Sequence, residues 1–216
     1  MTGVGAVRAR IAAAAARAGR DPASVLLVGA SKTVPVERLR DALRDGLTDL
    51  GENRAQELLA KAPELAGDAS PPHWHFLGRL QRNKVKALAD WVVCWQSVDR
   101  EELGAEIARR APGAHVLVEV DIAREPQKGG CLPEAAPRLV ERLAALGLCV
   151  DGLMALPPQG DDPRPWFAAV RELAERIGVR ELSMGMSDDY EVAVEEGATI
   201  VRVGRALFGP REPGAR

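Results

Sequence analysis

Lysine is scarce in this 216-residue chain: five of its 29 basic residues are lysine and the other 24 are arginine. Arginine stays charged and cannot condense with a carbonyl, so a lysine kept against that preference is worth tracing. The three cysteines, Cys94, Cys131 and Cys149, are odd in number and form no CxxC pair. That excludes a disulfide framework and a thiolate metal knuckle, and it predicts reduced thiols in a cytosolic protein. No run approaches the roughly 20 apolar residues of a membrane span. The N-terminal alanines are interrupted by Arg8, Arg10, Arg17 and Arg20, which denies them the apolar core of a signal peptide. A cytoplasmic protein is expected. With 28% charged residues and a formal net charge of −2, the chain offers no electrostatic reason to bind nucleic acid or membrane. Arg79, Arg82, Lys84 and Lys86 lack interleaved aromatics and read as a solvated face. Of three histidines, His73 and His75 share a strand face, but only His115 is left as a third imidazole and no cysteine is adjacent. No metal site is expected.

What is present alternates from end to end. An Ala/Arg-rich helix over Val4–Ala18 is stopped by Gly19, and eight short β-rich runs follow at Val25–Ser31, Thr48–Leu50, His75–Leu77, Trp91–Gln96, Val116–Asp121, Leu148–Met154, Glu181–Ser183 and Ile200–Val203. Helical stretches separate them, at Pro35–Arg44, Asn53–Leu65, Gln81–Ala89, Asp99–Arg110 with Asp99 as its cap, Glu134–Leu146, Pro165–Ile177 and Asp189–Glu195. A flavodoxin-like or Rossmann sheet would use five or six such units, so the count predicts a single-domain α/β (β/α)8 TIM barrel with an extra N-terminal helix. Active sites of such barrels lie at the C-terminal ends of the strands, with phosphate often held after strands seven and eight. This brings Lys32, Asn53, Gly78, Asp121, Met154, Ser187 and Gly204 around one mouth.

Lys32 ends the apolar run Val25–Ser31 and is the candidate for covalent chemistry, against the alternative of a strand-end lysine reaching to solvent. In Val201–Gly209, a strand runs into Gly204, where backbone can approach a ligand and free amides can meet phosphate oxygens; a plain turn is the alternative. Ser187 in Ser183–Asp189 can cap the next helix or offer its hydroxyl to the same phosphate, while Asp188 and Asp189 would repel it and are expected to point away. Asn53, after Gly51-Glu52, can bond a ring hydroxyl or cap a helix. Glu119 and Asp121 share a strand face, and Lys128-Gly129-Gly130 follows in a loop.

These segments together resemble the pyridoxal phosphate homeostasis protein family, related to the barrel domain of alanine racemase. The matching residues are Ser31-Lys32, Gly51-Glu52-Asn53, Trp74-His75-Phe76 with Gly78, Leu80-Gln81 with Asn83-Lys84, Lys128 with Gly130, Gly152-Leu153-Met154, Ser183–Asp189, and Arg202 with Gly204 and Phe208-Gly209. They span nearly the whole chain, with a core from about residue 8 to 210 in one domain over 1–216. The resemblance implies a pyridoxal 5'-phosphate fold type III barrel carrying that cofactor as a Schiff base on Lys32. It implies that Ser187, Gly204 and the amide of Arg205 hold the phosphate, that Arg202 faces the pyridine nitrogen, that Asn53 and His75 lie near the ring, and that Met186 also belongs to the cofactor-binding set. Leu50 and Arg79 depart from the family's usual Phe and Pro, Asp121 from a frequent Asn and Gly129 from a frequent Ser.

Racemisation on this cofactor needs a base on each face of the substrate adduct. In alanine racemase the second base is a tyrosine of the partner subunit, whereas this chain holds one tyrosine, Tyr190, in the helix after strand seven. The resemblance therefore implies a carrier that buffers or delivers pyridoxal phosphate, with cofactor-dependent apoenzymes as recipients, as a monomer or weak homodimer. A single-domain racemase or lyase, and a cofactor-free aldolase using the same lysine, are the alternatives.

Overall fold

The computed structural model describes residues 3–125, 129–158, 160 and 162–210, so Lys128 lies outside the described residues. Eight parallel strands close into a barrel in sequence order: β1 Leu26–Ala30, β2 Asp49–Glu52, β3 His73–Phe76, β4 Val92–Val98, β5 His115–Val120, β6 Cys149–Ala155, β7 Glu181–Ser183 and β8 Ile200–Val203. Closure is made by β1 on β8, with Val28 opposite Arg202 and Gly29 opposite Val203. The (β/α)8 expectation holds in its count and order of units.

The helices are α1 Val4–Arg17, α2 Val36–Arg44, α3 Ala55–Leu65, α4 Arg82–Leu88, α5 Glu101–Arg110, α6 Ala136–Ala145, α7 Arg164–Ile177, α8 Tyr190–Glu195 and the single turn α9 Arg205–Phe208. Successive strand side chains point to opposite faces, so each strand feeds two cores. The outward residues, such as Leu27, Trp74, Phe76, Trp95, Val116, Val118, Val201 and Val203, pack under the helices. The inward ones form a small apolar layer of Val28, Cys94, Leu117, Met154 and Ile200. One step further along the strands the interior turns polar, with His75, Gln96, Glu119, Ser183 and Arg202 all buried. Burial in the apolar layer pushes the Cys94 thiol up to about 12, leaving it inert as a nucleophile at neutral pH.

Two local expectations need correction. Asp99 does not cap α5: Arg100 is the N-cap residue, without a side-chain cap, and Asp99 pairs with the Arg100 guanidinium instead. Strand two runs two residues past Leu50, so Gly51 and Glu52 belong to β2 and not to the turn after it. A 3-10 turn at Pro22–Ser24, capped by Asp21 Oδ1 on the Ala23 amide at 2.9 Å, leads into β1. The expected opening helix is present as α1, which lies on α8 through the Arg17–Glu195 pair at 2.7 Å and through Arg10 over the Tyr190 ring at 5.3 Å.

Candidate functional site

A cavity of about 460 Å³ opens at the C-terminal ends of β1, β6, β7 and β8. Lys32, Asn53, Met186, Ser187, Arg202, Gly204 and Arg205 all line it, with Met154 and the apolar walls Leu77, Leu156 and Phe208. Gly78 and Asp121 are not among its lining residues, although both sit at strand ends. Asp121 turns into its own loop, where Oδ1 accepts from the Glu125 amide at 3.0 Å. A larger depression, about 900 Å³, lies at the opposite end of the barrel, around Asp49, His73, His115 and Asp151.

His75 does not line the mouth cavity. Its ring lies inside the barrel, with Nε2 2.9 Å from Asp49 Oδ1 and Nδ1 2.8 Å from Gln96 Nε2. The inward-pointing positions of β3 are His73 and His75, so alternation aims the second imidazole at the barrel axis, below the strand ends. Among the described residues, no group of three or more His, Cys, Asp or Glu side chains is placed to hold a metal.

The turn that carries Lys32 is held by buried charges. Lys61 on α3 reaches Glu52 Oε1 at 2.5 Å, Glu57 Oε2 at 3.1 Å and the Ser31 carbonyl at 2.7 Å. Ser31 Oγ lies 2.8 Å from Glu52 Oε1 and 3.0 Å from the Gly51 carbonyl, and the Ser31 amide donates to the same carbonyl at 2.9 Å. On the other side of Lys32, Thr33 has φ of 62° and donates its amide to Glu57 Oε2 at 2.8 Å. A β-branched residue in the left-handed region costs on the order of 1–3 kcal/mol, so the surrounding contacts must hold it there. Burial raises the Glu52 carboxyl above the usual range while Lys61 opposes the rise. In Glu57 the order of effects reverses in outcome: burial raises it, but the Thr33 amide and Lys61 bring it below the ordinary value.

This clamp separates two lysines by their availability. All three contacts of Lys61 are within 3.1 Å, and its ammonium is spent. Lys32 stands in the cavity wall and has no hydrogen bond or ion pair among the described residues. An amine must shed its proton and its partners to attack a carbonyl, and only the second lysine is placed to do so. Lys61, Glu52 and Glu57 were not singled out as functional in the sequence; the legible trace was Glu57 and Lys61 at helical i,i+4 spacing behind Gly51-Glu52-Asn53.

The other side of the mouth is lightly held. Ser187 Oγ accepts from the amides of Gly204 at 3.2 Å and Ala206 at 3.4 Å, with the Arg205 amide between them in sequence. Ser187 therefore does not cap α8, whose N-cap is Asp189. Asp189 Oδ1 accepts from the Met186 amide at 2.6 Å, which turns that carboxylate back under its own loop and occupies the Met186 donor. Asp188, expected to point away, instead lines the mouth cavity at its rim, where it pairs with the Arg205 guanidinium. Gly185, with φ of 93°, supplies the loop's bend; a Cβ there would stand 2.5 Å from the Ala193 methyl.

The floor holds a buried cation. Arg202 donates to Ser183 Oγ at 2.5 Å and to the Ala155 carbonyl at 3.0 Å, and pairs with no carboxylate among the described residues. Burial lowers it to about 10, with Glu119 and Asp189 opposing, so it stays charged at neutral pH. Glu119, buried on β5, is pushed up to about 7 by burial, with Asp99 adding and Arg202 and Arg79 opposing; its Oε2 has no hydrogen-bond partner among the described residues.

These residues suit a flat phosphorylated aldehyde. A free amine stands at one wall, two amides converge on a single hydroxyl oxygen at another, and a buried guanidinium without a carboxylate partner lies between. At Gly204 a Cβ would sit 3.3 Å from the Ala30 carbonyl oxygen, a tight contact that glycine avoids.

Comparison with known proteins agrees with this geometry. Residues 4–212 match the family model of the alanine racemase N-terminal domain. A pyridoxal phosphate homeostasis protein of Pseudomonas aeruginosa is 43% identical over 97% of this chain and 94% of its own. One of Aquifex aeolicus is 46% identical over 94% of each. The structure of PipY from Synechococcus elongatus with pyridoxal phosphate bound superposes with a TM-score of 0.80 at 33% identity, covering 92% of this chain and all of that one (100%). This chain, with the fold of the alanine racemase N-terminal domain, belongs to the pyridoxal phosphate homeostasis protein family.

Proposed function

We propose that the protein binds pyridoxal 5'-phosphate as a Schiff base on Lys32 and serves to buffer or deliver it within the cell. The observation that carries the reading is the pairing of one unengaged lysine with convergent phosphate donors in a single cavity. Ser187 with the amides of Gly204, Arg205 and Ala206 holds the phosphate. Arg202 faces the pyridine nitrogen, and Asn53 and Met186 border the ring.

The cofactor supplies an electrophilic carbonyl and an electron-withdrawing ring when bound. The protein's own part is restraint. The Lys61 clamp fixes the backbone on both sides of Lys32, so the amine is presented from a rigid turn. A guanidinium opposite the ring nitrogen discourages protonation there, which weakens the electron sink that amino-acid chemistry requires. Tyr190, the only tyrosine, is buried with its ring under Arg10 and does not border the cavity. A second base of the racemase kind is thus not supplied by a tyrosine of this chain, and holding the cofactor is favoured over turning over substrate. The three free cysteines and the helices, none of them long and apolar enough among the described residues to cross a membrane, accord with a cytoplasmic setting.

The test is the absorption spectrum of purified protein with and without added pyridoxal phosphate, beside Lys32→Ala, with borohydride-reduced protein mapped by mass spectrometry. The expected result is a long-wavelength band lost in the variant and a pyridoxyl mass on the Lys32 peptide. An adduct on Lys61, Lys84, Lys86 or Lys128, or no band, would sink the reading. Turnover of an amino-acid panel by the loaded protein would replace the carrier with a racemase or lyase.

A further inference from the structure

Beneath the mouth, five buried polar side chains from five strands run in series toward the other end of the barrel. Arg202 on β8 donates to Ser183 Oγ on β7 at 2.5 Å, and Ser183 donates to Gln96 Oε1 on β4 at 2.6 Å. Gln96 Nε2 is 2.8 Å from His75 Nδ1 on β3, and His75 Nε2 is 2.9 Å from Asp49 Oδ1 on β2. Asp49 and His75 both line the depression at the N-terminal end, and Asp49 also takes a hydrogen bond from Thr48 at 2.6 Å. We propose that Gln96, His75 and Asp49 are positioning residues for Arg202, acting through Ser183 as a hydrogen-bond relay that holds the guanidinium against the cofactor ring. This rests on the reading that Arg202 faces the pyridine nitrogen.

The direction of the relay follows from its ends. Arginine can only donate and a carboxylate can only accept. Ser183 accepts from Arg202, so its single proton goes to Gln96 Oε1. The amide nitrogen of Gln96 then faces His75 and requires a bare Nδ1, which places the imidazole proton on Nε2, toward Asp49. Reversing the Gln96 amide would leave the Ser183 proton without its acceptor. It would also put the proton of neutral His75 on Nδ1, with a bare Nε2 against a carboxylate. One arrangement satisfies every group.

Such a series gives the far carboxylate a role at the mouth. Arg202 has no ion pair of its own among the described residues, and its charge is drawn through four hydrogen bonds toward Asp49. Its second contact, the Ala155 carbonyl at 3.0 Å, fixes one amino group while Ser183 fixes another. A guanidinium held at two points cannot turn to offer itself as a general donor to arriving ligands. Networks in low dielectric are stiff when every member is satisfied and disruptive when one is missing, so an apolar side chain in the middle should be felt at both ends.

The experiment uses the full chain with pyridoxal phosphate, and with pyridoxine 5'-phosphate, which lacks the aldehyde and so reports ring and phosphate contacts without the bond to Lys32. The variants are Gln96→Leu, which removes the middle, and Asp49→Leu and Asp49→Asn at the far end; Asn keeps an acceptor for His75. Gln96→Leu is expected to weaken pyridoxine 5'-phosphate by roughly fivefold, the effect of about one hydrogen bond. It should also move the pH midpoint of the bound pyridoxal phosphate band, while borohydride still labels Lys32. Asp49→Leu should shift both readouts in the same direction by less, and Asp49→Asn should restore them. Side-chain nitrogen NMR should find the His75 proton on Nε2. If Gln96→Leu fails to fold, the Asp49 pair decides, because that residue borders an open depression. Wild-type affinity and midpoint in Asp49→Leu, or a proton on Nδ1, would overturn the relay. Failure of the wild-type protein to take pyridoxal phosphate on Lys32 would overturn the reading of the site, and the relay's role with it.

Discussion

The two sides of the mouth are built on opposite plans. At the ends of β1 and β2 a buried lysine and two carboxylates pin the backbone at Ser31 and Thr33. At the ends of β7 and β8 one hydroxyl spans two amides at 3.2 and 3.4 Å, the long end of hydrogen-bond range. The first side uses groups that water cannot replace once they are buried, because separating them strands a charge. The Ser187 contacts on the second side are neutral, part-buried and replaceable by any oxygen that accepts from the same amides. A protein that holds and releases a phosphorylated aldehyde needs this asymmetry. On the proposed reading, the first side would present the nucleophile from a fixed turn, while the second would let the phosphate donors change partners as the ligand comes and goes.

Breaking the clamp should have the largest effect. Lys61→Ala leaves Glu52, which is fully buried, without a counter-charge, and Glu57 with only the exposed Arg54 at 3.7 Å. Removing one member of a buried ion pair costs roughly 3–5 kcal/mol, and equilibrium urea unfolding should show a loss of that order. An unchanged midpoint would mean that the β1 side is no more strongly built than the β8 side.

The comparison sharpens at Glu119, a buried carboxyl that neither plan accommodates. Folding raises it from 4.5 to about 7, chiefly through burial. Between those values the folded chain binds more protons than the unfolded one, so its stability is fullest at low pH and falls as pH rises through 7. The loss approaches about 3 kcal/mol above that point, at 1.36 kcal/mol per unit. Glu119→Gln should flatten the decline between pH 5 and 8 and make the protein more stable at pH 8. A decline as steep in the variant as in the parent would place its origin elsewhere.

Ser187→Ala should do least to the fold. It frees two amides in a part-exposed loop, where water can reach them, and a cost of at most about 1 kcal/mol is expected. Its mark should fall on phosphate affinity instead, read by titration with pyridoxine 5'-phosphate. A large loss of stability with unchanged affinity would invert the contrast between the two sides.

Much of this was legible in the chain. Eight apolar runs of strand length separated by helical stretches exceed the five or six units of an open doubly wound sheet, so their count points to a closed one. Once closed, the ends of strands one and eight must be neighbours, so Lys32 and Gly204 meet although 172 positions apart. The short-range details were harder. Asp99 and Ser187 each carry a good capping side chain, but Arg100 takes the first and the amides of Gly204 and Ala206 the second. Capping propensity is worth about 1 kcal/mol, and a competing charged or amide partner readily outweighs it. His75 follows the same rule: its spacing placed it on an inward face, but its depth depended on where β3 enters the barrel.

The amino-acid pattern by itself determined the barrel, the strand ends that meet at its mouth and the lysine available there, because period-two burial and short connections leave one way to close eight strands. Only the tertiary structure decided which charges are spent and which are free. Lys61 and Lys32 are the same residue type, and what separates them is the arrival of Glu52 and Glu57 at one ammonium and not at the other. Ion pairing acts over a few ångströms between residues brought together by different elements.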